Sequence, residues 1–346
     1  MKTRIGIIGV GGIAVKRHIP AFLKHPDVEI VAVCDNRPEV LDKVAADLDI
    51  KHKFAYYEDL VNLDDIDVID ICTPNFAHAD PTIQALENGK HVIVEKPLAR
   101  NAVEGTAMIE AAEKAGKQLM VAFCMRWRPD ARAIKDVIDK GDMGDIYYAT
   151  AQALRQRGIP NWGVFTDKEK QGGGPLIDMG IHALDLALWF MGHPRPLTAS
   201  GTAYTKFGNR SGLSGDYGPW DSSNYTVEDY ASALIRFENG ASLSIESSFA
   251  ANIRDKSVFD VKLLGTRGGA ELNPFYISRE EAGLLIDVTP SDLPEALWHE
   301  AELFDVIYAI RNNHPVPSPG SEALIATKIV DAIYRSAEEG REVSVG

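Results

Sequence analysis

Through the first third of the chain, short apolar runs alternate with stretches in which apolar residues recur every three to four positions. The runs are Arg4–Ile8, Glu29–Cys34, Val68–Cys72, His91–Val94 and Gln118–Phe123. Apolar at successive positions, they predict strands covered on both faces, as in a parallel sheet. The helical spacing lies between them, at Gly12–Lys24, Pro38–Leu48, Ala77–Glu87 and Asn101–Ala115. Two boundaries carry their own chemistry. Gly89 in "ENGK" is placed to take the left-handed conformation that ends a helix. Asn101 can N-cap the next helix, with Glu104 three residues on as its capping-box partner. Strand, helix, strand in repetition predicts right-handed crossovers and a doubly wound sheet.

Beyond Phe123 the period changes. Pro129–Lys140 reads as a helix, and "MGDIYYATAQAL" alternates like a half-exposed strand. From Val227 the pattern is antiparallel β: Asp229–Phe237, the turn Glu238-Asn239-Gly240, then Ala241–Phe249. Ser257–Leu264, a turn at Gly265–Gly269 and Leu284–Val288 extend the meander. Two helices, Pro294–Asn313 and Ser321–Glu339, close the chain. These shifts divide the 346 residues into domains at 1–123 and 124–346, each long enough to bury its own core. Phe207–Ser223, rich in Gly, Ser and Asp, predicts a long loop. Its Tyr217 and Trp220 suit a lid or an intersubunit contact.

Composition then narrows the function. A net charge of −14 argues against nucleic acid or an anionic membrane as a bulk partner. The three cysteines, Cys34, Cys72 and Cys124, are widely spaced and read as inert buried thiols in a reducing compartment. The N-terminal residues go straight into a strand without a signal-peptide pattern, and no apolar stretch approaches the ~18 residues of a membrane span. The expectation is a cytoplasmic protein.

"IGIIGVGGIA" places Gly9-x-Gly11-x-x-Ala14 at a strand–helix junction. Gly9 permits the turn, Gly11 and Gly12 let main chain approach a pyrophosphate, and Ile13 and Ala14 begin a helix that packs close on the strand. Asp35 follows 21 residues after Ala14, at the end of the second strand. A carboxylate there bonds ribose hydroxyls and repels a 2′-phosphate, so NAD is the expected dinucleotide. Neighbouring Asn36 and Arg37 leave NADP open, since Arg37 could neutralise a 2′-phosphate if Asp35 turned away. Thr73, Pro74, Asn75 and His78, after another strand, are expected at the same crevice, although Asn75 also suits a helix cap.

Two further stretches carry chemistry. In "IVEKPLARN" a lysine, Lys96, stands directly after a buried strand, between Glu95 and Pro97. A lysine pressed against a hydrophobic strand end loses hydration and resists being charged. In "GGGPLIDMGIHALDLALWF", residues 172–190, Asp178, His182 and Asp185 fall at spacings of four and three, on one helix face. The imidazole suits proton transfer near neutrality, and Asp178 suits its orientation. A third and fourth metal ligand are not evident, so no metal is expected.

Together, the Gly-x-Gly-x-x-Ala start, "CTPN", "EKP" and the downstream Asp-x-x-x-His resemble the Gfo/Idh/MocA family of glucose–fructose oxidoreductase and inositol dehydrogenase relatives. The resemblance covers nearly the whole chain. It implies α/β architecture: an N-terminal Rossmann domain with a doubly wound parallel sheet. A C-terminal α+β domain with a large, mostly antiparallel open sheet would follow, through which homodimers or homotetramers form. It implies hydride transfer between NAD(P) and a carbinol of a sugar, cyclitol or polyol. It assigns catalysis to Lys96, Asp178 and His182, and a cis peptide before Pro97. Arg126 and Trp162 become expected substrate contacts, though a packing role suits Trp162 equally. An NAD-using glycosidase with transient oxidation and a non-catalytic NAD sensor are the competing readings. A sensor needs none of the Lys/Asp/His set.

Overall fold

The computed structural model describes every residue of the chain except Ser291 and Ala296. The chain divides into two compact units, Met1–Trp127 with Leu297–Leu324, and Arg128–Ala296 with Ile325–Gly346. The pattern of elements had suggested a single cut, at 123/124. Each unit is instead assembled from two separate segments.

The first unit is built on a six-stranded sheet of β1 (Thr3–Ile8), β2 (Val28–Cys34), β3 (His52–Phe54), β4 (Val68–Ile71), β5 (His91–Glu95) and β6 (Leu119–Ala122). Their order is β3-β2-β1-β4-β5-β6, and every pairing is parallel. Ile5, Ile7, Val68, Ile69, Ile71, Ile93, Val94 and Val121 are fully buried, which is why these strands read as unbroken apolar runs. Only β3 is absent from that pattern, because "HKF" is three residues long and carries one apolar side chain. The chain winds outward in both directions from β1, so the switch in direction falls between β1 and β4. In doubly wound sheets ligands bind beyond the strand ends at that point.

The helices lie close to where spacing predicted them. Asn101 caps Ala102–Ala115 by accepting the Glu104 N–H at 2.9 Å, and Gly116 ends that helix at φ +62°. The Glu104 carboxylate reaches back to the Arg100 N–H at 3.2 Å. The expected helix Pro294–Asn313 spans Trp298–Arg311, and its position 296 lies outside the described residues. Leu303, Val306 and Ile307 on it are fully buried, in the same apolar core as Ile5, Ile7, Val10, Ala14 and Phe22.

The second unit carries nine strands among the described residues. They are β7 (Ile146–Arg155), β8 (Pro196–Tyr204), β9 (Tyr230–Phe237), β10 (Ser242–Ser248), β11 (Ser257–Gly265), β12 (Gly268–Leu272), β13 (Phe275–Glu281), β14 (Leu284–Val288) and β15 (Val343–Ser344). Their order is β14-β13-β12-β11-β7-β10-β9-β8-β15. Only β7 and β10 pair in parallel; the other pairings are antiparallel, as expected of an open α+β sheet. The sequence pattern had not shown β8, β12 or β13, whose small and charged residues give little alternation. The helix Ile181–Met191 packs on β7 and β11.

Candidate functional site

Two sets of chemistry-bearing side chains sit in the two units. In the first, Gly9 ends β1 at φ +85°, a region an L side chain rarely enters. A methyl group there would lie 2.9 Å from the Cys72 carbonyl, so the packing of β1 against β4 alone requires glycine. Gly11 and Gly12 differ. A methyl on Gly12 would meet nothing within 4 Å, and one on Gly11 only the Arg37 guanidinium, at 3.6 Å. The chain's own packing does not demand these two glycines. Their bare main chain leaves room for a pyrophosphate to approach, at the start of a helix that runs through residues 12–24. Ala14 is fully buried and Ile13 packs on the same core, as a close helix–strand contact needs.

Asp35 is buried at the end of β2. Its Oδ2 accepts the Val10 N–H at 3.1 Å, tying the second strand end to the glycine turn. Its Oδ1 accepts the Arg37 N–H at 3.0 Å, and the Arg37 guanidinium forks onto both oxygens at 2.9 Å. Burial is the largest influence on this carboxyl and pushes its pKa up. The Arg37 and Val10 donors outweigh it, and the group is held below the usual carboxylate value. Asn36 and the Arg37 side chain, 52% exposed, lie at the surface.

The turn after β4 is held from within. The Thr73 hydroxyl donates to the Ala77 carbonyl at 2.7 Å, Pro74 is exposed, and Asn75 is buried at the start of a 3-10 turn. His78 is fully buried, its ring nitrogens 2.8 and 2.9 Å from the Pro97 and Thr73 carbonyls. It binds the loop after β4 to the loop after β5, one layer behind the surface on which the sequence had placed it. Burial, ahead of every other influence, lowers its pKa. Lys96 is half-buried, its N–H donating to Glu95 Oε2 at 3.0 Å, and the Lys96–Pro97 peptide is cis, as the resemblance implied. Arg126 is almost wholly buried. Its guanidinium donates to the Pro317 carbonyl at 3.2 Å and to Glu322 at 2.6 Å, both within the first unit.

In the second unit, Asp178 lies in a π-turn, Leu176–Gly180, that runs on into the helix Ile181–Met191 bearing His182. π-turns of this kind recur at functional sites. Asp178 and Asp185 are buried and His182 is half-buried. Gly180 presses the helix onto β10: a methyl there would lie 3.0 Å from the Ser247 Cβ. Positions two residues either side, 178 and 182, leave the opposite side of the helix together.

Two of the three glycines preceding this helix, Gly173 and Gly174, are explained by two residues that the sequence did not single out. The Glu228 carboxylate accepts the Gly174 N–H at 2.9 Å, the Leu176 N–H at 3.2 Å and the Tyr334 hydroxyl at 2.9 Å. It stands where a helix N-terminus favours negative charge. A methyl on Gly173 would lie 2.0 Å from the Tyr334 hydroxyl, and one on Gly174 2.3 Å from the Glu228 carbonyl. The glycines are therefore a consequence of the clamp. An acid 54 residues downstream of Gly174 gives no sequence signal of its own. Trp162 is 51% exposed and meets Tyr217 edge to face at 4.8 Å. That contact joins the Phe207–Ser223 segment to the "IPNWG" stretch. The three cysteines are free and buried. No described helix is long and apolar enough to cross a membrane.

Comparison with known proteins bears on both halves. Residues 3–123 match the family described as "Oxidoreductase family, NAD-binding Rossmann fold", and residues 131–271 match the "GFO/IDH/MocA C-terminal domain". The chain is 35% identical to D-glucoside 3-dehydrogenase of Escherichia coli, over 99% of this chain and 97% of the other. It is 28% identical to inositol 2-dehydrogenase of Rhizobium meliloti, over the whole of both. The structure of levoglucosan dehydrogenase in complex with NADH and levoglucosan superposes with a TM-score of 0.87 at 25% identity, covering both chains completely.

Proposed function

The chain belongs to the Gfo/Idh/MocA family of oxidoreductases, and on that premise we propose that it is an NAD-dependent dehydrogenase acting on a ring carbinol of a sugar or glycoside. The first position to test is the 3-hydroxyl of a glucoside. One observation carries the reading: the likeness to D-glucoside 3-dehydrogenase runs from end to end of both chains. A likeness confined to the nucleotide-binding half would speak for the cofactor and not for the sugar.

Bound NAD would take the hydride from the carbinol carbon at nicotinamide C4. Gly11, Gly12 and the start of the following helix would hold its pyrophosphate, and Asp35 its adenine ribose. The remaining work belongs to side chains. His182 takes the hydroxyl proton, Asp178 orients the imidazole, and Lys96 donates a hydrogen bond to the same oxygen as negative charge grows on it. The carbinol becomes a ketone, its proton leaving on His182. This requires Lys96 and His182 to act on one oxygen. Trp162 and Tyr217 would offer the sugar an aromatic face, and Asp35 would disfavour NADP.

A panel of glucosides, free aldoses and inositols, followed at 340 nm for NADH, tests the substrate. Reduction of NAD by inositols alone would overturn the glucoside reading. Lys96→Met and His182→Ala should each lower kcat by ~10²–10⁴-fold on the true substrate. Near-normal kcat in either would remove that residue from the chemistry.

A further inference from the structure

Behind Lys96 lies a buried row of titratable groups that this reaction leaves unused. His18, 1% exposed, ends the π-turn Ala14–His18. Its Nδ1 is 3.0 Å from both carboxylate oxygens of Asp70, and its Nε2 is 3.0 Å from Glu95 Oε1. Asp70 is fully buried in the middle of β4. The other Glu95 oxygen, Oε2, is the one that accepts the Lys96 N–H.

A neutral imidazole has one N–H. With a carboxylate facing each nitrogen, the bare nitrogen would turn its lone pair onto an anion. The geometry therefore calls for an imidazolium, donating both ways. Burial is the largest influence on His18 and opposes the charge. Asp70 and, after it, Cys72 together outweigh it, and the ring is held well above the usual histidine value. A charge buried without a partner would be far more costly. The other groups facing the ring are Cys72 just after β4, Cys124 after β6 and His299 on the helix Trp298–Arg311. Burial pushes both thiols up, so they stay neutral. The donor atoms of His18, Asp70 and Cys72 fall within 4.8 Å of one another, a spacing a metal could use. Ligation at Nδ1 needs that nitrogen bare, whereas a carboxylate facing each ring nitrogen favours the doubly protonated ring.

We infer that the Asp70–His18–Glu95 row is a positioning device for Lys96. The imidazolium fixes Glu95, and Glu95 fixes the main chain from which the lysine projects. The inference rests on the role proposed above for Lys96. Two measurements test it. In the full-length protein with 15N-labelled histidine, the ring signals that vanish in His18→Gln should show both nitrogens protonated at neutral pH. A bare-nitrogen signal at neutral pH would overturn the inference. In steady state, His18→Gln should lower kcat by about 10- to 100-fold, the scale of a small misplacement of a reacting group, with KM for NAD little changed. In the Lys96→Met background the same substitution should cost almost nothing further. If Lys96→Met is impaired and His18→Gln multiplies its loss in full, the row is merely structural and the lysine reading survives. If Lys96→Met is itself near normal, both readings fall. Should His18→Gln not fold, Asp70→Asn, of the same size, removes the counter-charge from Nδ1 and should give the same pair of results.

Discussion

Asp35 does three jobs with two oxygens. It closes an Asx turn onto the Arg37 N–H, ties the glycine turn through Val10, and receives the Arg37 guanidinium. From the sequence, a cofactor carboxylate and a turn-forming aspartate looked like alternatives. In the structure the carboxylate that makes the turn is the same one proposed to hold the ribose. It also accounts for Arg37, whose charge is spent on Asp35. Asp35→Ala removes the repulsion and frees the guanidinium together. The ratio of kcat/KM for NAD to that for NADP should fall by at least about tenfold, equivalent to ~1.4 kcal/mol. Because Arg37 and the Val10 N–H keep this carboxyl below its ordinary value, the preference in the unaltered protein should persist unchanged down to about pH 5, a unit above the usual ~3.9. An unchanged ratio in Asp35→Ala would show that other contacts select the cofactor.

At the scale of single elements, the sequence disclosed what periodicity can carry. Apolar runs marked five of the six parallel strands, and helical spacing marked the segment with Asp178 and His182. What stayed hidden was the reason for the last two of the three glycines before it. Glu228 precedes β9 and Tyr334 lies on the last helix, so their meeting at Gly173 and Gly174 is a tertiary fact. The same holds for His78 and Arg126. Their main-chain and ionic partners, such as Pro317 and Glu322 for Arg126, are not visible in the sequence beside them. Glu228→Gln keeps the size of the clamp but sets an NH2 against one of two main-chain donors, Gly174 or Leu176. One buried N–H loses its acceptor, a cost of ~1–3 kcal/mol. Tyr334→Phe leaves both main-chain bonds in place and should cost less. Urea unfolding measures both, and equal costs would mean that the carboxylate does not cap the helix.

For the molecule as a whole, the order of residues along the chain and the order of assembly part company. The helix Trp298–Arg311 was visible as a helix, but an amphipathic face does not say which core it will complete. Its Leu303, Val306 and Ile307 enter the core that also holds Ile5, Val10, Ala14 and Phe22, so the nucleotide-binding unit is finished only by residues some 200 positions after Lys96. Ile307 is fully buried. Its replacement by alanine should therefore cost ~2–5 kcal/mol, the usual range for a core Ile→Ala change. A residue that stabilises the NAD-binding unit should also be coupled to NAD by mass action, since a ligand binding only the folded state adds ~2.7 kcal/mol at a hundredfold excess over its Kd. NAD at that excess should recover a comparable part of the loss in Ile307→Ala, measured by thermal unfolding with and without cofactor. The same substitution at Ile235 of β9, equally buried but in the other unit, provides the contrast. If Ile307→Ala left the unfolding midpoint unmoved, the late helix would not belong to the nucleotide core, and the division of the chain drawn from its contacts would have to be redrawn.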